Sequence, residues 1–448
     1  MHKISMFGAG YVGLVTATCF AELGNRVYCY DVDRKKIDRL QHGDVPIFEP
    51  GLAEMVARNA KSGRLFFSSA AGEVVAESDI IFIAVGTPMG DDGHADLTDV
   101  REAAMTIAKH LNARKIIVNK STVPVQTGDL VATLIDEYRS GQHAVTVVSN
   151  PEFVREGSAI ADFMHPDRVV LGVPDEATAQ TMRSLYAPLG VPIVLVSVRT
   201  AEMIKYTANA FLATRISFIN EIANLCQAVG ADVKDVVAGA GSDHRIGTDF
   251  MKPGLGFGGS CFPKDVTALT KLAESKGVVP RVLRSVLETN ASQIEIYLEA
   301  IASRLGNLRD VPVALLGLAF KPNTDDVRES PAVALAQRLL ADGVQLAVHD
   351  PVALANAKRV VRGELRWCSD VYDAARGARA LIVATDWNEY KELDFSTLAV
   401  RMSERLIIDC RNIYEPAELV KQGFEVVAIG RGKESRKNIS APHSVEKV

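Results

Sequence analysis

The chain has 448 residues, about three domains at roughly 150 residues each, so one small module is excluded. Apolar residues make up 48% and charged residues 23%, the balance of a globular protein and not of a disordered or fibrous one. Fifty lysines and arginines against 55 acids leave a formal net charge of -5, which excludes a global field for nucleic acid or an anionic membrane and leaves any anionic substrate to locally placed cations.

Met1 to Lys3 runs directly into a strand pattern without the basic region, apolar region and cleavage site of a secretion signal, so secretion is not expected. The longest strongly apolar run, about Val311 to Phe320, contains Pro312 and Gly317 and is far short of the ~20 residues that span a bilayer. Cys19, Cys29, Cys226, Cys261, Cys368 and Cys410 form no CxxC pair, and the histidines form no HxxxH. Neither a disulfide framework nor a metal site is expected, and a cytoplasmic protein fits best.

Lys3 to Phe7 is a β-prone run ending in Gly8-x-Gly10-x-x-Gly13, with Tyr11 and Val12 inside the turn; Leu14 to Leu23 reads as a helix closed by Gly24. Val27 to Tyr30 is the next strand and ends at Asp31, 18 positions past the last glycine. Such a βαβ unit points to a dinucleotide, because the glycines permit a tight turn, close approach of backbone to a pyrophosphate and close helix packing. Asp31 would accept hydrogen bonds from a ribose and repel a 2′-phosphate, which favours NAD over NADP, although Arg34, Lys35 and Lys36 pull the other way. Further strands at Ile80 to Val85, Ile116 to Asn119 and Val145 to Ser149 predict a parallel sheet covered by helices.

Lys120-Ser-Thr122-Val-Pro124 and Asn150-Pro-Glu152-Phe-Val-Arg-Glu156 come directly after two of these strands and hold more polar residues than a scaffold requires. On spacing alone Glu152 and Glu156 read slightly better as cap or surface acids. From Thr200 to about Arg304 strand signals nearly stop. Lys205 and Asn209 share a face of a helix there, which solvated i,i+4 neighbours would also do. Cys261 lies in Gly258-Gly-Ser-Cys261-Phe-Pro263, where the start of a helix favours a thiolate, assisted by Lys264 and opposed by Asp265; the other five cysteines read as buried small hydrophobes. Val313 to Leu316, Gly317, a helix over Pro331 to Ala341 and a strand over Val344 to Val348 ending at Asp350 then repeat the opening pattern, without its repeated glycines. The expected architecture is α/β, with two Rossmann-like, doubly wound parallel-sheet domains at residues 1–200 and 306–430, a helical region at 201–305 between them, and a polar, flexible tail at 431–448.

These motifs resemble those of the UDP-glucose/GDP-mannose 6-dehydrogenase family over about residues 1 to 430. The match rests on Gly8 to Gly13 with Tyr30-Asp-Val-Asp33, Phe48-Glu-Pro-Gly51, Ser121-Thr-Val-Pro124, Asn150 to Glu156, Glu202 to Asn209, Gly256 to Asp265 and Phe320 to Ser330. The resemblance implies a four-electron oxidation of a nucleotide sugar's C6 alcohol to a carboxylate, with two NAD+ reduced and no free aldehyde released. It implies a water held by Asp265 and Thr122 as base, Lys205 and Asn209 on the developing oxyanion, Cys261 as the nucleophile that forms a thiohemiacetal and then a thioester, and Glu152 in hydrolysis. By the same resemblance Asp31 and Lys36 hold the adenosine ribose, Thr87, Thr122 and Glu156 line the cofactor site, and Arg328 reaches the pyrophosphate. Substrate contacts fall to Glu152, Phe153, Val154, Arg155 and Glu156, to Lys205 and Asn209, and to Phe250, Phe257 and Gly258. Phe320, Lys321 and Arg411 take its phosphates and base end, and Arg245 contacts it across a dimer interface, the resemblance giving the helical region at 201–305 a dimerising role.

The motifs sit nearer the UDP-glucose branch, so UDP-glucose is the expected substrate; GDP-mannose and UDP-N-acetylhexosamines stay open. The partners expected are that substrate and further copies of the chain, as a homodimer or higher oligomer, with no nucleic acid and no membrane. Cys410 and Gln126 stand where the family more often has glycine. Two other readings remain: a single-step hydroxyacid dehydrogenase, which has no use for Cys261, and an NAD-sensing scaffold, which needs neither Cys261 nor Lys205 nor Asp265.

Overall fold

The computed structural model describes residues 1–432, and most of the expected tail, from residue 433 on, lies outside them. Chain contacts divide the described residues into two units: Met1–Ala210 with Lys264–Pro280, and Phe211–Pro263 with the chain from Arg281 on.

The first unit is built on an eight-stranded sheet: β1 (Lys3–Phe7), β2 (Arg26–Tyr30), β3 (Leu65–Ser68), β4 (Ile80–Ile83), β5 (Lys115–Asn119), β6 (Val145–Ser149), β7 (Val169–Gly172) and β8 (Ile193–Val196), in the order β3-β2-β1-β4-β5-β6-β7-β8. Successive residues of β4 face opposite cores. Ile80 and Phe82 join Phe20, Phe163 and Tyr186 on one face, and Ile81 and Ile83 join Val100, Ile107 and Val131 on the other, so the central strands carry continuous apolar runs. Pairing is parallel from β3 through to β6, as expected. β7 then meets β6 antiparallel at Ser149 and Gly172, and β8 lies beside β7 in parallel. These two four-residue strands carry no sequence signal distinct from that of a short buried helix segment.

Six helices carry or brace the candidate functional residues and are numbered in chain order: α1 (Tyr11–Glu22), α2 (Thr127–Tyr138), α3 (Val198–Val229), α4 (Phe262–Ser275), α5 (Arg281–Leu305) and α6 (Pro331–Ala341). Residues 13 to 21 of α1 are all buried, which suits a helix enclosed by its unit. The chain leaves the first unit within α3 and re-enters it at the start of α4.

The second unit holds a six-stranded, all-parallel sheet: β9 (Pro312–Leu316), β10 (Gln345–His349), β11 (Arg366–Cys368), β12 (Ala380–Val383), β13 (Leu406–Asp409) and β14 (Glu425–Val427), ordered β11-β10-β9-β12-β13-β14. That order matches β3-β2-β1-β4-β5-β6 of the first sheet, so the expected α/β architecture with two doubly wound sheets is present, the second parallel throughout and the first parallel except where β7 meets β6. Arg431 pairs with Asp232 at 2.9 Å and Glu415 at 3.0 Å, which ties the end of the described chain to this unit. No helix among the described residues is long and apolar enough to cross a membrane, and no group of three or more potential metal ligands occurs among them.

Candidate active site

β1 delivers the chain into a turn whose three glycines are required for different reasons. Gly8 has φ of 107°, and a Cβ there would lie 2.4 Å from the Ala84 carbonyl oxygen, just past β4; at Gly13 a Cβ would lie 1.9 Å from the Gly8 carbonyl oxygen. Packing of strand against helix demands both. Gly10 has an ordinary φ of -77°, and a Cβ there would meet nothing within 4 Å. No side chain caps α1 at Gly10, and Tyr11 and Val12 open the helix half-buried. Bare backbone at a helix N-terminus suits a pyrophosphate.

Asp31 comes directly after β2 and turns back on this loop. Its Oδ2 accepts from the Ala9 N–H and the Lys36 ammonium, each at 2.8 Å, and its Oδ1 from the Asp33 N–H at 2.9 Å. Burial pushes the carboxyl up, but Lys36 and the two N–H groups outweigh it and hold Asp31 below the usual aspartate range. An ionised acid beside an uncovered glycine turn fits the ribose and pyrophosphate of NAD. Thr87 donates to the Thr122 carbonyl at 2.8 Å and thereby ties the segment after β4 to the turn after β5.

Glu152, Lys205, Asn209 and Asp265, all buried, are brought together in two pairs. Glu152 leaves the end of β6; its Oε1 meets the Lys205 ammonium at 2.9 Å and its Oε2 accepts the Val154 N–H at 2.7 Å. One turn further along α3, Asn209 donates to Asp265 Oδ2 at 2.6 Å, while Lys264 meets Asp265 Oδ1 at 2.5 Å. The Lys205 ammonium also lies 5.4 Å from the centre of the Phe153 ring, whose face is covered by Arg168 at 3.8 Å. An ammonium and an amide on one helix face, each set by its own carboxylate, form a pre-arranged site for an oxygen that gains negative charge.

In the second unit, Cys261 is exposed, lies beside Ser260 (Sγ to Oγ 3.8 Å) and directly precedes α4. The loop before it is closely packed. A Cβ on Gly258 would lie 2.1 Å from the Glu329 carbonyl oxygen, and one on Gly259 would lie 2.6 Å from the Phe320 ring. Phe257 exchanges both backbone groups with the Asn290 amide of α5, at 2.7 and 3.1 Å. Arg411 donates to the carbonyls of Ala384 at 2.6 Å and Phe320 at 3.4 Å, and Lys321 lies 5.7 Å from the Phe320 ring, so Phe257, Gly258, Phe320, Lys321 and Arg411 gather in one region. Phe250 has φ of 59° and faces Phe262 at 6.2 Å.

Three exposed arginines are bound to nearby aspartates, Arg155 to Asp162 of the following helix at 2.7 Å, and Arg245 to Asp243 at 2.5 Å and Arg328 to Asp326 at 2.6 Å within their own turns. Glu156, half-buried, sits beside the first of them. Exposed ion pairs of this kind contribute little and are readily exchanged for a stronger anion.

Several contributors escape a reading by residue type. Glu49, in the Phe48–Gly51 motif, accepts from the Tyr11 hydroxyl, from the Gly157 N–H at 2.7 Å and from the Ile160 N–H at 3.4 Å, tying the start of α1 to the loop after Glu156. Glu202, one turn before Lys205, receives the N–H groups of Gln126 and Gly128, each at 2.7 Å. Their motifs were visible, but the partners are distant in sequence. Gln126 stands at φ of 84°, the left-handed conformation that glycine adopts without strain. Near Cys410, which is buried, the left-handed residue is Asn412 at 52°.

Comparison with known proteins agrees with this organisation. The chain matches the UDP-glucose/GDP-mannose dehydrogenase family in its NAD binding domain (residues 2–190), its central domain (residues 199–292) and its UDP binding domain (residues 314–416). It is 48% identical to a UDP-glucose 6-dehydrogenase of Rhizobium meliloti, with 96% of this chain and 99% of that one covered. It is 46% identical to one of Bacillus subtilis, with 96% and 94% covered. Among solved structures, a UDP-glucose dehydrogenase from the archaeon Pyrobaculum islandicum superposes with a TM-score of 0.89 at 41% identity, covering 93% of this chain and 96% of that one.

Proposed function

The chain belongs to the UDP-glucose/GDP-mannose dehydrogenase family, and from that premise we propose that it oxidises UDP-glucose to UDP-glucuronate with two equivalents of NAD. The observation that carries the reading is the pair of contacts along α3, Lys205 on Glu152 and Asn209 on Asp265, all four side chains buried. NAD, when bound, accepts the hydride that leaves C6 in each of the two oxidations.

In the first, Asp265 and Thr122 hold the water that takes the hydroxyl proton, and Lys205 with Asn209 stabilises the oxyanion; one such donor is typically worth about 3 kcal/mol. An aldehyde has no second hydride to give until a nucleophile adds. The Cys261 sulfur bonds to C6, the carbonyl electron pair moves to oxygen, and the same donors hold that oxygen. Loss of the second hydride re-forms the carbonyl as a thioester. Glu152 then takes a proton from the attacking water, and collapse of the adduct breaks the carbon–sulfur bond, returning the thiolate and releasing the carboxylate. Phe257, Gly258, Phe320, Lys321 and Arg411 hold the nucleotide, with Arg155, Arg245 and Arg328 turning from their aspartates to phosphate oxygens.

Phe211, Phe218, Leu225 and Val229 leave an exposed apolar stripe on α3 at intervals of seven, seven and four residues, which supports pairing with the same helix of a second copy. Six free cysteines, one of them required as a thiol, suit the reducing cytosol.

The test is stoichiometry. Two NADH per UDP-glucose, with a product of carboxylate mass, is the expected result, and one NADH per sugar overturns the reading. Cys261→Ser should abolish steady turnover, with at most a slowly hydrolysed ester on the enzyme; near-normal carboxylate formation would refute covalent capture.

A further inference from the structure

Lys120, immediately after β5, has no part in the oxidation steps proposed for the site. Its backbone N–H donates to the Ile83 carbonyl at 2.9 Å, its side chain is buried, and among the described residues its ammonium has one hydrogen-bond partner, Asn150 Oδ1 at 3.1 Å. That amide is fixed in turn: its Nδ2 donates to the Val170 carbonyl of β7 at 2.9 Å, and its Oδ1 also receives the Tyr186 hydroxyl. Asn150 is two residues from Glu152, so the ammonium anchors the segment that carries that carboxylate.

The charged side chains acting on Lys120 are Glu152, from the turn after β6, and Lys205, from α3. Glu152 is already committed to Lys205 and to the Val154 N–H. Two buried ammonium groups thus act on the same carboxylate, a costly arrangement for a scaffold and one that adds positive charge beside an oxygen placed there.

We propose that Lys120 is a positioning residue of the oxidation, fixing the Asn150–Glu152 turn and adding a second positive charge to the field in which Lys205 receives the oxygen on C6. The inference rests on the proposed function of this site. Burial first, and then repulsion from Lys205, draws the Lys120 proton affinity down to about 8 against the pull of Glu152. Its charge is present below that pH and lost above it, so the alkaline limb of the kcat profile should fall near pH 8.

The experiment first counts NADH with the unaltered enzyme, which settles the underlying reading independently, and then records kcat and KM against pH for Lys120→Met and Lys120→Arg. Lys120→Met keeps the side chain's length and loses its charge; kcat should fall roughly ten- to a hundredfold, less than the roughly hundred- to thousandfold for loss of a direct oxyanion donor because Lys120 acts through the Glu152 turn and the field, with KM for NAD unchanged and the limb near pH 8 gone. Lys120→Arg keeps a charge that does not titrate, so part of the rate returns and the limb moves upward. Wild-type kcat and profile in Lys120→Met overturn the proposal, as does an equal slowing of both variants at every pH with the wild-type shape kept. Should Lys120→Met fail to fold, Lys120→Arg decides alone: a limb displaced upward supports the role, and one left in place refutes it.

Discussion

Strands β1 and β9 each end in a glycine at positive φ, Gly8 at 107° and Gly317 at 92°, and each neighbouring strand, β2 or β10, leads to an aspartate that turns back on the loop. Asp31 accepts the Ala9 N–H; Asp350 accepts those of Leu318 and Ala319, at 2.7 and 3.0 Å. From there the two units diverge. α1 starts at Tyr11, so the backbone at Gly10 stands bare at a helix N-terminus. The corresponding Ala319 is fully buried, and α6 starts only at Pro331, after a loop that packs Phe320 and Glu329 onto Gly259 and Gly258. Asp350 also receives the N–H groups of Val352 and Ala353 and the Trp387 indole, which leaves it 1% exposed and fully engaged by the protein. The same strand order is thus matched by the family's NAD binding domain in one unit and by its UDP binding domain in the other, and what separates their first turns is whether backbone stays uncovered.

The largest expected effect lies where the first turn is closed. A methyl at Gly13 falls 1.9 Å from the Gly8 carbonyl oxygen, so Gly13→Ala must push α1 off β1. It should cost about 3 kcal/mol or more, a fall in melting temperature of roughly 6–12 °C, and abolish NAD binding. Gly10→Ala, whose methyl meets nothing, should melt as the wild type does while NAD affinity falls at least about tenfold, because the methyl occupies the approach to the pyrophosphate. Unchanged affinity in Gly10→Ala would remove the distinction between the two turns.

Next in size is the exchange of the two aspartates. Asp350→Asn replaces an acceptor of five N–H donors by an amide that can accept at only one atom, and should cost about 2–4 kcal/mol with KM for NAD unaltered, read by thermal melting and steady-state kinetics. Asp31→Ala should do the reverse, weakening NAD chiefly and stability less. An equal loss of NAD affinity in both would mean that the two acids do not divide structure and ligand binding between them.

How far sequence alone reached depends on the range of each interaction. Gly8 to Gly13 and Asp31 lie within one βαβ unit, where spacing dictates geometry, and both were legible; so was the second use of the fold from Val313 onward. Lys205 and Asn209 were legible as neighbours on one helix face. Their partners Glu152 and Asp265 were given a role in the site only through the resemblance, since residues 53 and 56 positions away are brought to α3 by the fold and by no local pattern. β7 and β8 escaped because four apolar residues do not distinguish a strand from a buried turn of helix. Lys120 lay in a motif that drew notice for Thr122, and only its burial against Asn150 shows that it is more than a surface cation.

The smallest expected effect concerns Gln126, the one left-handed non-glycine residue of the first unit. It precedes α2 without a side-chain cap, and the Glu202 carboxylate, reaching from α3 to the N–H groups of Gln126 and Gly128, performs the capping. Burial raises Glu202 to about 7 although both N–H groups favour its anion, so the clamp is strongest above that pH, where the carboxylate is charged. Gln126→Gly relieves a left-handed strain of about 1 kcal/mol, and the added freedom of the unfolded chain takes back about 0.4–1 kcal/mol. The two nearly cancel, so melting temperature should move by less than roughly 2 °C and kcat stay as it is. A fall of about 5 °C or more would mean that the glutamine side chain itself holds the turn and that Glu202 is not its sole cap.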